Sequence, residues 1–286
     1  MSAMFPAVAT WNQELPAIWS ALRASGAVLL KEAATTPAEL EALTSRFAAR
    51  FRVHQDPSRR RFSADDTTQG VSGGTERIGL HSERAYLPAR PELLFFGCLT
   101  PPTSGGATTL CDGAAIVEAL PAEHVQRWEE MTLLWHTTME RPMWQRLWSA
   151  DSPVDATAAM DGMLERAGER ARTRHWFEAE TMHIEYRTSS LQRGSIGGKW
   201  AFANYLLLQE EDPTGPAARR ADGSPVPSEL LRHAAAVADG LTVDIRWQRG
   251  DVLLIDNTRC MHGRRAIEGD ERLILVRMGD ARPELA

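Results

Sequence analysis

Short apolar segments, each bounded by turn residues, place the strongest limit on how this chain folds. They occur at 93–99 (LLFFGCL), 107–112 (ATTLCD), 131–136 (MTLLWH), 241–247 (LTVDIRW), 251–257 (DVLLIDN) and 272–278 (RLILVRM). Runs of this length, separated by Pro-Pro, Gly-Gly and Gly-Asp, are typical of β-strands. Strands at both ends with a mixed segment between them favour a closed double-sheet architecture, a jelly roll or cupin with flanking helices, over alternating βαβ units.

The remaining pattern predicts helices around and between these strands. The spacing of apolar residues predicts a helix over 11–24, and Thr36 before Pro37 is typical of a helix start, which we extend through Arg50. We expect a strand over 26–31 and a loop over 54–79. A mixed α/β insert or lid is predicted at about 120–240 within one domain spanning 1–286. The middle of the chain, roughly 112–240, combines predicted helices at 112–120, 157–172 and 228–238 with predicted strands near 183–187 and 199–202.

Composition excludes several classes of protein. The net charge is -6, and the longest basic run, Arg59 to Arg61, is too short to track a phosphate backbone, so nucleic acid is not an expected partner. Cys98, Cys111 and Cys260 are far apart and form no CxxC pair, which argues against disulfides and thiolate zinc sites and fits a reducing cytoplasm. Without a signal-like N-terminus or an 18-residue apolar window, we expect a soluble cytoplasmic protein with no membrane contact.

Three histidines have a carboxylate two residues later. In an extended segment residues i and i+2 project to the same face, so each pair can share one metal ion. Two histidines and one carboxylate are the ligands of non-haem Fe(II) oxygenases, because this set leaves coordination positions open. His262, which follows the apolar segment 251–256, is the natural second histidine. Spacing alone leaves three choices open for the first pair: His54 with Asp56, His81 with Glu83, and His183 with Glu185.

An arginine ten residues after His262 adds a second kind of site. Arg272 opens the last predicted strand. The planar guanidinium can form two parallel charge-assisted hydrogen bonds to a carboxylate, which suits the distal carboxylate of 2-oxoglutarate. The alternative is a solvated charge at a strand edge.

Two blocks of the sequence resemble the TauD/TfdA superfamily of 2-oxoglutarate dioxygenases, in its clavaminate synthase-like, SyrP-like branch. The closing block consists of residues 250–257, Met261-His-Gly-Arg264 and Arg272-Leu-Ile-Leu-Val276. The first block contains His81-Ser-Glu83 through Pro88, the Pro-Glu-Leu-Leu-Phe-Phe strand and the segment from Pro101 to Thr108. Together the blocks cover roughly 70–115 and 241–280, in the order and at the distances typical of the family.

The resemblance implies a ligand set and a cofactor. It selects His81 over His54 and His183, and it implies Fe(II) on His81, Glu83 and His262 with 2-oxoglutarate and O2 as co-substrates. Arg272 and the Thr108 hydroxyl are implied to hold the distal carboxylate. Related halogenases carry a small residue at the carboxylate position, so Glu83 favours hydroxylation over halogenation.

The last strand departs from the family pattern. Many relatives place a second arginine four residues after the first and use it to hold an acidic group of the substrate. Here the spacing is five, from Arg272 to Arg277, so in a regular strand the two side chains point to opposite faces and Val276 occupies the usual anchor position. A β-bulge would bring both inward, and if only Arg277 faces inward, the 2-oxoglutarate role is its own.

The substrate is predicted only as a class. Candidates for substrate contact are Arg77, Arg84, Tyr86, Asn204 and Arg277, with exposure at the surface as the alternative for each of the first four. The resemblance implies a small amino acid or amino-acid-derived substrate, free or tethered to a carrier protein, in a natural-product pathway. Desaturation or cyclisation would use the same metal site.

Two other functions compete with an oxygenase. One is a non-oxygenase metal cupin that holds zinc or manganese, and the other is a jelly-roll protein that binds a carbohydrate. Arg272 with Thr108 argues against both, because neither needs an anchor for a dicarboxylate.

Overall fold

The computed structural model describes residues 5–54, 56, 59–212, 215–269 and 272–285. Its strands are β1 (Ala7–Thr10), β2 (Ala27–Lys31), β3 (Ala48–Phe51), β4 (Gln69–Gly70), β5 (Ile78–His81), β6 (Leu93–Thr100), β7 (Thr108–Asp112), β8 (Thr132–Met139), β9 (Thr173–Glu178), β10 (Thr181–Ser189), β11 (Gln192–Arg193), β12 (Trp200–Ala201), β13 (Ala217–Arg220), β14 (Val243–Ile245), β15 (Val252–Asp256), β16 (Cys260–Arg264) and β17 (Leu273–Ala281). Its α-helices are α1 (Leu15–Ser25), α2 (Pro37–Thr44), α3 (Gly113–Ala119), α4 (Ala122–Glu129), α5 (Arg141–Trp148), α6 (Pro153–Ala167), α7 (Leu206–Glu211) and α8 (Ser228–Leu241). The protein is therefore mainly β, with several sheets and flanking helices.

Two sheets combine strands from both ends of the chain. The larger sheet has the order β1-β2-β15-β6-β17-β3, with β4 also paired to β17, and the smaller has the order β14-β7-β16-β5. Buried side chains of both sheets form one hydrophobic cluster, which includes Phe96, Leu110, Ile255 and Val276. Burial on both sides explains why β15 is apolar at nearly every position instead of alternating.

Helices α1 and α2 cover the other face of the larger sheet. Ile18 and Leu22 of α1 and Leu40 of α2 are fully buried in a second cluster with Phe95. Helix α1 ends at Gly26, whose φ of 80° lies in the left-handed region. A Cβ there would lie 2.7 Å from Cys260 Sγ, so both the conformation and the space favour glycine.

A third sheet belongs to the middle of the chain. It has the order β13-β8-β10-β9 and packs with α5 and α6 around a cluster that includes Trp144, Met160 and Ile184. Helices α4 and α8 cover a further cluster, in which Trp128, Leu231 and Leu80 are buried. Among the described residues, no helix has both the length and the apolar character needed to cross a bilayer.

Two helix predictions had wrong bounds. The helix predicted through Arg50 ends at Thr44, because residues 48–51 form β3 and pair with β17 at the edge of the larger sheet. The helix predicted at 157–172 is α6, which begins after Ser152 and ends at Gly168. The Ser152 side chain accepts a hydrogen bond from Asp155 N, and Gly168 has a φ of 68°, so an N-cap and a glycine stop set these ends.

The other predicted elements are confirmed with smaller changes. The expected loop over 54–79 contains β4 and the start of β5, and the strand expected near 199–202 has only two residues. Helix α3 lies inside the predicted 112–120, with Asp112 as its N-cap. The sequence patterns did not reveal α4, α5, α7, β1, β9, β11, β13 or β16, the strand that carries His262.

Candidate metal centre

Two neighbouring strands bring the predicted metal ligands together. His81 is the last residue of β5, His262 lies in the centre of β16, and the two are register partners in the smaller sheet. Their ring centroids are 4.4 Å apart. Glu83 follows two residues after His81, so its carboxylate reaches the same place. The ligand atoms of these three residues all lie within 4.8 Å of one another.

The donor set fits a divalent metal ion. Glu83 Oε2 is 3.9 Å from Nε2 of His81 and 3.9 Å from Nε2 of His262. Nδ1 of His81 lies 2.9 Å from the carbonyl oxygen of Gly79, to which it can donate, and this leaves Nε2 as an acceptor for a metal. Metal bonds of about 2.1 Å bring adjacent ligand atoms to roughly 3 Å, so a closure of about 1 Å suffices.

Burial and charge give two of these groups the protonation states that a metal requires. Burial, with the nearby His81, lowers the pKa of His262 to about 3, so its imidazole is neutral. Burial alone would raise the pKa of the Glu83 carboxyl, but His54, His81 and Arg59 hold it well below its usual range. A neutral imidazole and an ionised carboxylate are both ready to bind a cation.

Asn257 fixes the backbone of the Glu83 segment. Its Oδ1 accepts a hydrogen bond from Glu83 N at 2.8 Å, and its Nδ2 donates to Glu83 O at 3.0 Å and to Pro91 O at 2.8 Å. The Asn257 residue is fully buried. Sequence reasoning placed Asn257 only at the end of the apolar segment 251–257 and missed this role, since the contact joins residues 174 positions apart.

The cavity beside the metal ligands contains both predicted carboxylate-binding residues. Arg272, Thr108, Phe96 and Val276 line it together with His81, Glu83 and His262. Within the described ranges no carboxylate pairs with Arg272, and its buried Nε has no hydrogen-bond partner. Burial and the nearby Arg264 lower the pKa of Arg272 to about 10, which still leaves it charged at neutral pH. Thr108 Oγ1 accepts from Trp247 Nε1 at 3.0 Å, so its own proton is available to a carboxylate.

Arg277 does not reach this cavity. The adjacent Val276 lines it, and Arg277 points to the opposite face of β17 because alternate residues of a strand face opposite sides. There its guanidinium donates to Thr44 Oγ1 and Thr67 Oγ1, and its Cζ lies 3.6 Å from the ring centroid of Phe51. The register between β17 and β6 shifts at Leu273 and Ile274, between the two arginines, but the unpaired residue there is Leu99 of β6, so the alternation of β17 itself is kept. The structure thus places Arg277 outside the cavity of the metal ligands, where it joins β17 to the segments around Thr44 and Thr67.

The four other candidates for substrate contact do not line the cavity that contains the metal ligands. The Arg77 side chain is 53% exposed and pairs with Glu211 at 2.6 Å, outside the cavity. Asn204 is buried, and its side-chain amide is fully engaged with the backbone. Its Nδ2 donates to Ser190 O, and its Oδ1 accepts from Leu206 N.

Arg84 and Tyr86 lie closer to the metal centre. Arg84 donates to Val53 O at 2.7 Å and faces a second, larger cavity. The ring of Tyr86 packs at 4.8 Å against Tyr205, whose ring is 5.4 Å from that of His81. Burial raises the pKa of Tyr86 to about 12, so the phenol stays protonated.

His54 and Arg59 are neighbours of the metal centre that sequence reasoning did not place there. His54 Nε2 lies 3.6 Å from Glu83 Oε1. The Arg59 side chain lines the ligand cavity, is only 8% exposed and donates to Ser72 Oγ, while its Nε has no hydrogen-bond partner. The third alternative pair lies elsewhere, since His183 Nδ1 is 3.2 Å from His136 Nε2 and the His183 ring stacks on Trp176.

Comparison with known proteins identifies the class of protein that this fold and site define. A model of the taurine catabolism dioxygenase TauD, TfdA family matches residues 5–278. The chain therefore belongs to the TauD/TfdA dioxygenase family, whose cofactor and co-substrate are iron and 2-oxoglutarate.

Individual relatives agree with this assignment. The chain is 27% identical over 224 residues to a clavaminate synthase-like protein of Arabidopsis thaliana, covering 72% of this chain and 66% of the relative. It is 24% identical over 241 residues to the dapdiamide synthesis protein DdaC of Enterobacter agglomerans, covering 75% and 70%. Among solved structures, a taurine dioxygenase from Burkholderia xenovorans superposes with a TM-score of 0.64 at 16% identity, covering 98% of this chain and 87% of that one. The matched region thus spans about two thirds of the plant relative.

Proposed function

We propose that this protein is an Fe(II)- and 2-oxoglutarate-dependent oxygenase that hydroxylates an unactivated C–H bond of an amino acid or amino-acid-derived substrate. The observation that carries the proposal is one cavity lined by two imidazoles, a carboxylate, a hydroxyl and an arginine that no carboxylate neutralises within the described residues. A metal cupin or a carbohydrate-binding jelly roll has no use for the last two groups. The two sheets that share the central cluster would be the halves of a double-stranded β-helix.

His81, Glu83 and His262 would hold the iron, and iron with 2-oxoglutarate supplies the oxidising power for C–H cleavage. The chain's own task is to position the reactants. Arg272 and the Thr108 hydroxyl would bind the distal carboxylate of 2-oxoglutarate, which sets the direction of the co-substrate in the cavity. Phe96 and Val276 exclude water from its walls, and a low dielectric strengthens the arginine–carboxylate interaction.

We propose the larger cavity as the substrate chamber. It encloses about 470 Å³, a size typical of small-molecule sites, and is lined by Met139, Met143, Leu147, Trp148 and Met160. Arg84 and Val53 in its wall are the chain neighbours of Glu83 and His54, whose side chains lie 3.6 Å apart. Methionines and a tryptophan favour a substrate with an apolar part and a reacting carbon directed toward Glu83.

The region 120–240 would act as the lid of this chamber, since α5, α6, β8 and β10 contribute much of its wall. Arg59 and His54 lie at the metal side, where a buried arginine suits a carboxylate or another anionic group of the substrate. DdaC, by its name, takes part in dapdiamide synthesis. We propose by analogy a substrate from a natural-product pathway, free or bound to a carrier protein.

The test is succinate formation with a panel of free amino acids, N-acylated amino acids and aminoacyl groups on a carrier protein. We expect substrate-stimulated succinate formation with wild type and little change with His183→Ala. His81→Ala and Glu83→Ala should form at least roughly 100-fold less succinate, because loss of a metal ligand costs more than the 10- to 100-fold that follows loss of a residue that only supports a ligand. Wild-type activity in the Glu83→Ala variant would refute the ligand set. Stimulation by no member of the panel would refute the substrate class.

A further inference from the structure

A second group of potential metal ligands lies on two helices away from the centre described above. His124 is on α4, and Glu229 and His233 are on α8. Their ligand atoms all lie within 4.8 Å of one another, as do those of His81, Glu83 and His262. Glu229 and His233 are four residues apart, so they project from the same face of α8. The imidazole rings of His124 and His233 stack, with centroids 4.6 Å apart and planes at 19°.

The chemistry of this group suits a metal better than a hydrogen-bond network. The His124 side chain is only 9% exposed, and its buried Nδ1 has no hydrogen-bond partner. A buried ring nitrogen without a partner is costly, and a metal ion at such a histidine would either bind that atom or bind the other nitrogen and fix the tautomer. Glu229 is only weakly engaged, since its contact with Arg127 is 3.4 Å between half-exposed side chains.

We propose that His124, Glu229 and His233 form a second metal site, for a divalent transition metal ion such as Zn²⁺, that fastens α4 to α8. Two imidazoles and one carboxylate select zinc, cobalt or nickel over magnesium and calcium, which prefer oxygen ligands. Glu123, whose Oε1 lies 4.0 Å from His124 Nε2, offers a further donor at the rim. This second site is independent of the proposed oxygenase activity.

The second metal site would stabilise the hydrophobic cluster that packs behind His81. Trp128 of α4 and Leu231 of α8 are buried in one cluster with Leu80, the residue before His81. Helix α7 packs between α8 and β5, and Tyr205 at its start contacts the His81 ring. A metal ion that joins α4 to α8 would therefore stabilise the folded chain without touching the ligand cavity.

The experiment is a count of bound Zn²⁺ on the full-length, metal-free protein with any affinity tag removed, by competition with a chromophoric chelator. We expect two equivalents on wild type, one on His81→Ala, one on His233→Ala and none on the double variant. Since loss of a supporting contact alone costs 10- to 100-fold in metal affinity, loss of His233 should weaken the second site by at least roughly 100-fold. Zinc should raise the melting temperature of His81→Ala and not that of the double variant.

His183→Ala is the matched control. It also removes one member of a stacked histidine pair on the protein surface, with ring centroids 5.4 Å apart, and it should leave both equivalents in place. If His233→Ala binds as much zinc as wild type, the second site is overturned. Glu229→Gln, an exposed substitution, repeats the test should His233→Ala fold poorly. Failure of the iron site would look different, because His81→Ala would then bind as much zinc as wild type while His233→Ala still lost one equivalent.

Discussion

Asn257→Ala should damage both the fold and the metal centre. The substitution removes the acceptor for Glu83 N and the donor to Glu83 O and Pro91 O, three hydrogen bonds of 2.8 to 3.0 Å at a fully buried position. It also removes a longer bond of 3.2 Å from Ser82 Oγ, which keeps its bond to the backbone oxygen of residue 257 and therefore adds little to the loss. A buried hydrogen bond contributes about 1 kcal/mol net, so we expect the free energy of unfolding to fall by about 3 kcal/mol. Without these bonds the backbone of Glu83 no longer fixes the position of the Glu83 carboxylate, so metal affinity should fall by roughly 10- to 100-fold.

Denaturant unfolding and Co²⁺ titration measure the two effects separately. Asn204→Ala is the matched control, since Asn204 is equally buried and makes two side-chain hydrogen bonds, to Ser190 and Leu206, that do not support Glu83. It should cost about 2 kcal/mol of stability and leave metal affinity nearly unchanged. Equal losses of metal affinity in the two variants, or no loss in Asn257→Ala, would refute the role of Asn257 in positioning Glu83.

Three further predictions concern the neighbouring charges and thiols. Arg272→Ala should weaken 2-oxoglutarate binding by roughly 100-fold, which corresponds to one or two charge-assisted hydrogen bonds. Arg277→Ala should reduce the stability of the fold and leave the affinity for 2-oxoglutarate, measured by calorimetry, unchanged. The reverse result would exchange the roles of the two arginines. Burial and His81 hold the pKa of His262 at about 3, below the unfolded value near 6.5, so the unfolded state binds more protons. The metal-free protein should therefore lose stability as pH falls from about 6.5 toward 3. Urea unfolding at pH 7 and pH 5 should show a smaller loss of stability for His262→Gln than for wild type. An equal loss in the two proteins would contradict the lowered pKa of His262. Burial raises the pKa of Cys98 and Cys111 to about 12, so a thiol reagent at pH 8 should label the native protein far more slowly than the unfolded chain, and equal rates would contradict it.

The strands around the metal centre show what sequence patterns can predict in this protein. The apolar segments 93–99, 107–112 and 251–257 form β6, β7 and β15, because their burial leaves a clear signal. The period of a strand also placed Arg272 and Arg277 on opposite faces. The choice of His81 over His54 required the family resemblance, since the two share the same spacing.

Long-range contacts account for most of what was missed. Asn257 reads as one polar residue at the end of an apolar segment, and only the approach of the residues that follow β5 and β15 brings it to Glu83. His54 and Arg59 lie in a polar segment with no periodicity, and the fold carries them to Glu83. The overlong helix after Thr36 has the same cause, because pairing of β3 with β17 overrides local helix propensity.

The most direct test of the central claim is the visible absorption spectrum of the protein with Fe(II) and 2-oxoglutarate under anaerobic conditions. We expect a weak metal-to-ligand charge-transfer band for wild type and its loss in His81→Ala. In Arg272→Ala the band should appear only at a much higher 2-oxoglutarate concentration. Absence of the band in wild type, or an undiminished band in His81→Ala, would contradict it.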